Sequence, residues 1–253
     1  MRKITALAVP NLGIIEAGAN LPSLIFNACR EAGISLEDFD IVVLAQKIVS
    51  KAEGRTVDLR RLKVSPRASR IAERVGKSKG LTEAILRESR GVVRLVKGHL
   101  IVAHNLGIVL ANAGVDRSNA SSKEGVVTLL PKDPDLSARR VRQGLMALSR
   151  LKELGVIIAD SVGRPFRQGS VGIAVGVAGL SPLKDYRGRK DLYGRILRTS
   201  IEAIGDEIAS LANLLMGQGD EGRPVVIVRG LKWEGSEGSA KELIRDKKKD
   251  LFR

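Results

Sequence analysis

Apolar positions fall into short blocks divided by polar turns, and the spacing within each block predicts an element. Alternation in ITALAV predicts a first strand, followed by the loop PNLGIIEAGAN and a helix over about residues 21–32 that stops at Gly33. DIVVLAQKIVS reads as a buried strand running into polar residues. Helical spacing over about residues 65–89, with Ser65 and Pro66 as N-cap and first helical residue, predicts one or two helices separated near Gly80. Two β-branched runs around Lys97-Gly98 in GVVRLVKGHLIVAHN predict a hairpin, and VVTLLP another short strand. DPDLSARRVRQGLMALSRLKELG predicts a helix entered through Asp133-Pro134-Asp135 and closed by Gly155. GVIIADS is then a strand, and the small and apolar residues of SVGIAVGVAGL predict a strand whose backbone is closely approached. DLYGRILRTSIEAIGDEIASLANLLMG is the longest predicted helix, PVVIVRGL the last strand, and SAKELIRDKKKDLFR a charged helix or frayed tail.

Strands and helices are interspersed without regular strand-helix-strand units, so the expected class is α+β rather than a doubly wound sheet. At 253 residues, one large domain or two small ones are admissible. Because the first strands and the last helix and strand all look like core, the expected arrangement is two intimately packed mixed units. Residues 1–62 and 172–253 form a discontinuous domain, and residues 63–171 are inserted. Pro10, Asn11 and Glu16 interrupt the apolar N-terminal stretch, which reads as a strand and not a signal peptide. No stretch approaches about 18 uninterrupted apolar residues, so no membrane association is expected and the cytoplasm is the expected location.

Composition sharpens the class. With 43% hydrophobic and 28% charged residues the chain is folded rather than disordered. Trp233, two tyrosines and four phenylalanines leave a mainly aliphatic core and few platforms for stacking bases of a single strand. The formal charge of +15 points to an anionic partner: nucleic acid, a nucleotide or an acidic metabolite. Residues 60–97 alone carry a net +9, as a solvated helical face or as an anion-facing surface. The single cysteine, Cys29, excludes disulfides and cysteine clusters within the chain. His99 and His104 lack a third nitrogen or thiolate ligand and read as structural.

Four polar clusters interrupt the apolar elements. AQKIVSKAEGR (45–55) places Gln46, Lys47 and Lys51 after a strand, either to meet phosphate or as an ordinary amphipathic exit; it is no P-loop. ANAGVDRSNA (111–120) gathers Asp116, Ser118 and Asn119 around a glycine turn, as oxygen donors for a hard cation or as a plain Asx-turn. GVIIADSVGRPFRQG (155–169) puts Asp160 and Ser161 off a strand, with Arg164 and Arg167 close behind, as an anion and metal site or a surface salt bridge. MGQGDEGRP (216–224) could bring backbone amides to a nucleotide or serve as a flexible connector. Spacing alone carries the reading as far as metal-assisted chemistry on phosphate.

Taken in order, NLGIIEAG, VVLAQKIVSKAEGR, AILRES, ANAGVDRSN, LLPKDPDLSA, GVIIADSVGRPFRQG, DYRGRKDLYGR and DEIASLANLLMGQG resemble the coenzyme F420-0:L-glutamate ligases over nearly the whole chain. The resemblance implies GTP-dependent addition of γ-linked L-glutamate to coenzyme F420-0 through an acyl phosphate. It implies a guanine nucleotide against Leu12, Gly13, Ile14, Ile15, Gln46, Lys47, Lys51, Asn119 and the loop of Met216, Gly217, Gln218, Gly219, Asp220, Glu221, Gly222 and Arg223. It further implies two divalent cations, Mg2+ or Mn2+, one on Asp116 and Asp160, the other on Ser161 and Gln218. K+ is an additional candidate cofactor, and a homodimer is expected. Some family members carry a carboxylate where Gln218 stands. Lys51 by resemblance, and Arg164 and Arg167 by inference from the residues, are the candidate catalytic cations. The expected partners are therefore small molecules and not nucleic acid. The alternatives are a ligase acting on another carboxylate acceptor and a basic nucleic-acid-binding protein using residues 60–97.

Overall fold

The computed structural model describes residues 3–250, so the ends of the first and last sequence blocks lie outside the described residues. In chain order the elements are β1 (Thr5–Val9), α1 (Leu21–Glu31), β2 (Ile41–Ala45), α2 (Gln46–Ala52), β3 (Thr56–Asp58), α3 (Pro66–Val75), α4 (Lys79–Arg87), β4 (Ser89–Val96) and β5 (His99–His104). There follow β6 (Val109–Ala111), β7 (Val126–Thr128), α5 (Pro134–Ser149), β8 (Gly155–Gly163), β9 (Ser170–Ala178), β10 (Lys184–Asp185), β11 (Ile201–Glu202), α6 (Ile204–Met216) and β12 (Val225–Arg229). The class is α+β.

A five-stranded sheet in the order β1-β12-β2-β8-β9 carries the main core. Only β2 and β8 run parallel. Its middle strand β2 is apolar at every position, and its neighbours β12 and β8 carry apolar runs over Val225–Val228 and Val156–Ala159, because both faces are covered. Val42, Leu44, Val156, Ile158 and Ile227 pack with Ile25 of α1 and Leu145 of α5. Ile41, Val43, Ile157 and Val228 pack with Ile208 and Ala212 of α6 on the other face. Each such fully buried Ile or Leu contributes on the order of 2 kcal/mol of transfer free energy. The close approach expected at β9 is made by helix backbone: a Cβ on Gly176 would meet the carbonyl of Pro134, and one on Gly172 the carbonyl of Ala209.

A second region holds the sheet β4-β5-β6 and the pair β3-β7 with α3 and α4. Its core includes Val75, Ile85, Leu100, Val102 and Val127. The main sheet crosses the boundary expected after residue 171, because β8 is hydrogen-bonded between β2 and β9. The segment expected as an insertion thus gives β8, with α5 packed on it, to the main sheet.

Five local expectations are corrected. QKIVSKA is the helix α2, not the end of a strand. The amide of Ala45 reaches Pro224 O at 2.8 Å, and Pro224 has no N–H with which to continue the ladder, so the chain leaves the sheet there. The break between α3 and α4 falls at Gly76, which is left-handed, because Ser78 caps α4 by accepting from Leu81 N; Gly80 lies inside α4. Helix α5 ends at the left-handed Arg150, since Asp38 takes the amides of Lys152 and Glu153; Gly155 opens β8 instead. Residues 191–203 are not helical. Asp191 accepts from Tyr193 N and Arg195 N, and with the pairs Gly188 N to Leu197 O and Tyr186 N to Ser200 O it closes a hairpin arm above β10 and β11. The C-terminal block forms two 3-10 turns, the first closed by a capping box of Ser239 and Glu242, in place of a charged helix.

Candidate functional site

The departure of the chain from the sheet after Ala45 creates the site. Strand β2 pairs with β8 only as far as Ala45 opposite Ala159, so Asp160 is the first residue of β8 to lose that neighbour. The strand expected to end about Ser161 runs on to Gly163, so Asp160 is not at its very end. It stays within the β8–β9 ladder opposite Ile173, past a register shift at Ile158–Ala159. The gap opened beside it is a cavity of about 920 Å3, in the size range of small-ligand sites.

Helix α2 supplies one wall. Gln46 is buried, and its carbonyl accepts from Ser50 Oγ at 2.8 Å. Lys47 and Lys51, one turn apart, both line the cavity. Burial, and then the charge of Lys47, hold the ammonium of Lys51 below its usual range. Lys47 Nζ lies 2.8 Å from Asp116 Oδ2 and 2.6 Å from Ser118 Oγ.

The Asp116 loop needs an unusual backbone. Asn112, Ala113 and Gly114 are consecutively left-handed, with φ of 54°, 55° and 63°. Asn tolerates that region, whereas Ala carries a cost of roughly 1–2 kcal/mol there. The loop is fastened by the backbone pair of Asp116 and Thr128. The Asx-turn is present, Asp116 Oδ1 accepting from Ser118 N at 2.8 Å, and Asp116 also lines the cavity. Asn119 donates to Gly219 O at 2.9 Å and ties this loop to the one after α6.

In that second loop Gly217 has φ 72°, and the Glu221 carboxylate occupies the space a Cβ would need. Glu221 accepts from Gly219 N at 2.8 Å, so this amide is held by the loop's own carboxylate and not presented to the cavity. Backbone hydrogen bonds hold the Glu221 carboxyl below its usual range. Gln218 donates to Ser161 Oγ at 2.7 Å and to Asn213 Oδ1 at 2.9 Å, and Ser161 donates to Asn213 Oδ1 at 2.8 Å.

The expected residues thus divide. Gly13, Ile14, Ile15, Gln46, Lys47, Lys51, Asp116, Asn119, Asp160, Ser161, Met216, Gly217, Gln218, Gly219, Asp220, Gly222 and Arg223 line one cavity. Leu12 is buried in the main core, and Glu221 stands behind the loop. Arg164 donates to Gly169 O at 3.1 Å across the β8–β9 turn, and Arg167 is exposed; neither is on the cavity wall. Sequence reasoning missed Asn213, whose one signal is a lone amide within the apolar run LANLLM.

The two carboxylates behave oppositely. Burial, with the charge of Asp116 adding to it, pushes the Asp160 carboxyl up to about 6 despite bonds from Ser161 N and Gln46. Burial acts on Asp116 too, but the hydrogen bonds of Lys47 and Ser118 outweigh it and hold that carboxyl low. Asp116, Asp160, Ser161 and Gln218 offer only oxygen, a donor set that fits a hard divalent cation. The raised Asp160 is the group such a cation would relieve. Elsewhere, His104 is buried, accepts from Leu106 N at 2.9 Å, and is held neutral, its imidazole lowered to about 4 by burial and by Arg55 and Arg90. No helix among the described residues is long and apolar enough to cross a membrane.

Comparison with known proteins gives the family. The family model described as F420-0:Gamma-glutamyl ligase matches residues 11–230. A coenzyme F420:L-glutamate ligase of Methanothermobacter thermautotrophicus is 47% identical over 99% of both chains. Namesakes from Methanocaldococcus jannaschii and Archaeoglobus fulgidus are 42% and 43% identical, covering 100% and 99% of this chain and 98% and 97% of theirs.

Proposed function

Because the chain belongs to the F420-0:gamma-glutamyl ligase family, and is therefore a ligase, we propose that it joins L-glutamate to coenzyme F420-0 by γ-linkage at the expense of GTP. The observation that carries this is one cavity uniting Lys47, Lys51, Asp116, Asp160, Ser161 and Gln218 in a chain matched end to end by ligases of that name. The γ-phosphoryl group passes from GTP to the acceptor carboxylate and GDP leaves. The glutamate amine then forms the C–N bond to that acyl carbon, phosphate departs with the former carboxylate oxygen, and the amine loses its proton to solvent or phosphate.

Two divalent cations, Mg2+ or Mn2+, fit the oxygen donors as one pair on Asp116 and Asp160 and another on Ser161 and Gln218; bound there they supply charge neutralisation for the phosphates. In the present arrangement Lys47 is the counter-ion of Asp116. A cation taking that role frees its ammonium for a phosphate oxygen, with Lys51 beside it. Exposed Ile14, 89% accessible, offers an apolar face to the guanine base. The strongly positive chain suits three anionic substrates. A homodimer is supported by the hairpin arm, on which Leu192, Tyr193 and Ile196 are exposed well beyond what a solvated tip requires.

The test is incubation of the purified protein with coenzyme F420-0, L-glutamate, GTP and Mn2+ or Mg2+, followed by mass spectrometry. Stepwise gain of glutamate residues is expected, and none with the cation chelated. No product, with glutamate added instead to another carboxylate acceptor, would reassign the substrate.

A further inference from the structure

Asn213 stands at the meeting point of three side chains whose hydrogens can be counted. A glutamine amide has two N–H donors and a serine hydroxyl has one. Gln218 Nε2 directs its donors to Ser161 Oγ and Asn213 Oδ1, at 2.7 and 2.9 Å, and Ser161 directs its single proton to Asn213 Oδ1, at 2.8 Å. The triangle therefore consumes every proton of Gln218 and Ser161. What these two side chains have left for the cavity they line is lone pairs: those of Gln218 Oε1 and one on Ser161. Asn213 is the terminal acceptor for both, so its carbonyl fixes which way the two groups face.

Its own position is fixed as well. Helix α6 lies against β9, where Ser210 donates to Gly172 O at 2.7 Å and Asn213 Cβ is 3.0 Å from the space a side chain on Gly172 would fill. A residue held in this way can orient others with little entropy left to lose.

We infer that Asn213 is a positioning residue that turns Ser161 and Gln218 into an acceptor-only half-site for a divalent cation. This rests on the cation reading proposed above. A mirrored triangle, with the Asn213 amide donating, would turn the Gln218 NH2 group to the cavity and favour an anion. The two arrangements make opposite demands on residue 213. Asn213→Asp keeps an accepting oxygen and removes the donors, whereas Asn213→Leu removes both at similar volume.

The test is titration of Mn2+ into wild-type, Asn213→Asp and Asn213→Leu proteins, alone and with GDP, with free Mn2+ followed by electron paramagnetic resonance and folding checked by circular dichroism. Loss of an orienting partner typically weakens metal binding about 10- to 100-fold. Asn213→Leu is expected to lose affinity at one of two sites by at least about ten-fold, and Asn213→Asp to keep or tighten it. Wild-type affinity in a folded Asn213→Leu protein overturns the inference, as does equal loss in Asn213→Asp, which would make Asn213 a donor. If wild type binds Mn2+ at neither site, the cation reading fails and the inference with it; if it binds Mn2+ but makes no glutamyl product, only the substrate assignment fails.

Discussion

Asp160 and Asp116 face one cavity from two differently made regions. Asp160 stands in a paired strand, placed by the ladder of β8 and β9 and by the end of β2. Asp116 follows three left-handed residues and is secured by one backbone pair with Thr128. The strand supplies position, but burial outweighs the hydrogen bonds of Ser161 and Gln46 and the charge of Lys47, and the Asp160 carboxyl rises to about 6. The loop supplies its own compensation through Lys47 and Ser118, and the Asp116 carboxyl is held low. Without a cation, then, one acid is a burden to the fold and the other a support of it.

The largest expected effect removes the comparison at the level of chemistry. Asp160→Asn and Asp116→Asn should each lower ligation by about a thousand-fold, since each deletes charge that acts on the phosphates through a bound cation. Steady-state assay for glutamyl product checks this, and near-normal turnover in both would remove the assignment.

The next effect separates the two acids. With cations chelated, the native state binds the Asp160 proton more tightly than the unfolded chain does. Stability is therefore lost as pH rises from about 4 to about 6, because the carboxyl moves from an ordinary 3.8 to about 6. The penalty above that window is about 3 kcal/mol. Asp160→Asn should accordingly be more stable than wild type at pH 7, by up to that amount, and equal to it near pH 4. Asp116 has the opposite sign: its lowered carboxyl stabilises the fold above its unfolded pKa, and that contribution is lost as pH falls. Asp116→Asn should be the less stable variant at pH 7. Urea unfolding in chelator between pH 4 and 7.5 measures both, and destabilisation by Asp160→Asn at pH 7 would overturn the contrast.

A smaller effect tests the loop side alone. Gly217→Ala forces a side chain into a backbone region that L residues rarely adopt and into the place of the Glu221 carboxylate. A loss of about 1–3 kcal/mol and a raised KM for GTP are expected, with kcat less affected. An unchanged KM would show that the loop does not meet the nucleotide.

The same division explains what was legible in the sequence. DIVVLA, GVIIAD and PVVIVRG announce buried strands because two-sided burial leaves an apolar run, so the sheet and the position of Asp160 beside it could be read. The helix α2 could not, because its β-branched Ile48 and Val49 mimic a strand and the stop comes from Pro224, far away in sequence. The arm was misread for the converse reason: residues 191–203 have helical spacing, but the side chain of Asp191 bonds locally and the chain turns. Asn213 was invisible because its partner Ser161 is 52 residues away. Adjacency to Asp160 in sequence also suggested that Arg164 and Arg167 meet the anionic substrates as catalytic cations.

That last suggestion yields the smallest expected effect. Arg164 follows the last residue of β8, and neither it nor Arg167 is among the residues that line the cavity, so proximity in sequence to Asp160 does not bring them to the site. The Arg164 guanidinium is engaged with Gly169 O at the strand turn, and Arg167 is exposed beyond it. Arg164→Ala and Arg167→Ala should therefore leave ligation within about three-fold of wild type, with Arg164→Ala costing about 1 kcal/mol of stability through its lost bond to the turn. Lys51→Ala, one turn from Lys47 on the cavity wall, should instead reduce turnover by about a hundred-fold, the loss typical of a preorganised charge facing the transition state. A hundred-fold loss at either arginine would mean that the β8–β9 turn reaches the substrates, and would move the catalytic cations from the helix side of the cavity to the strand side.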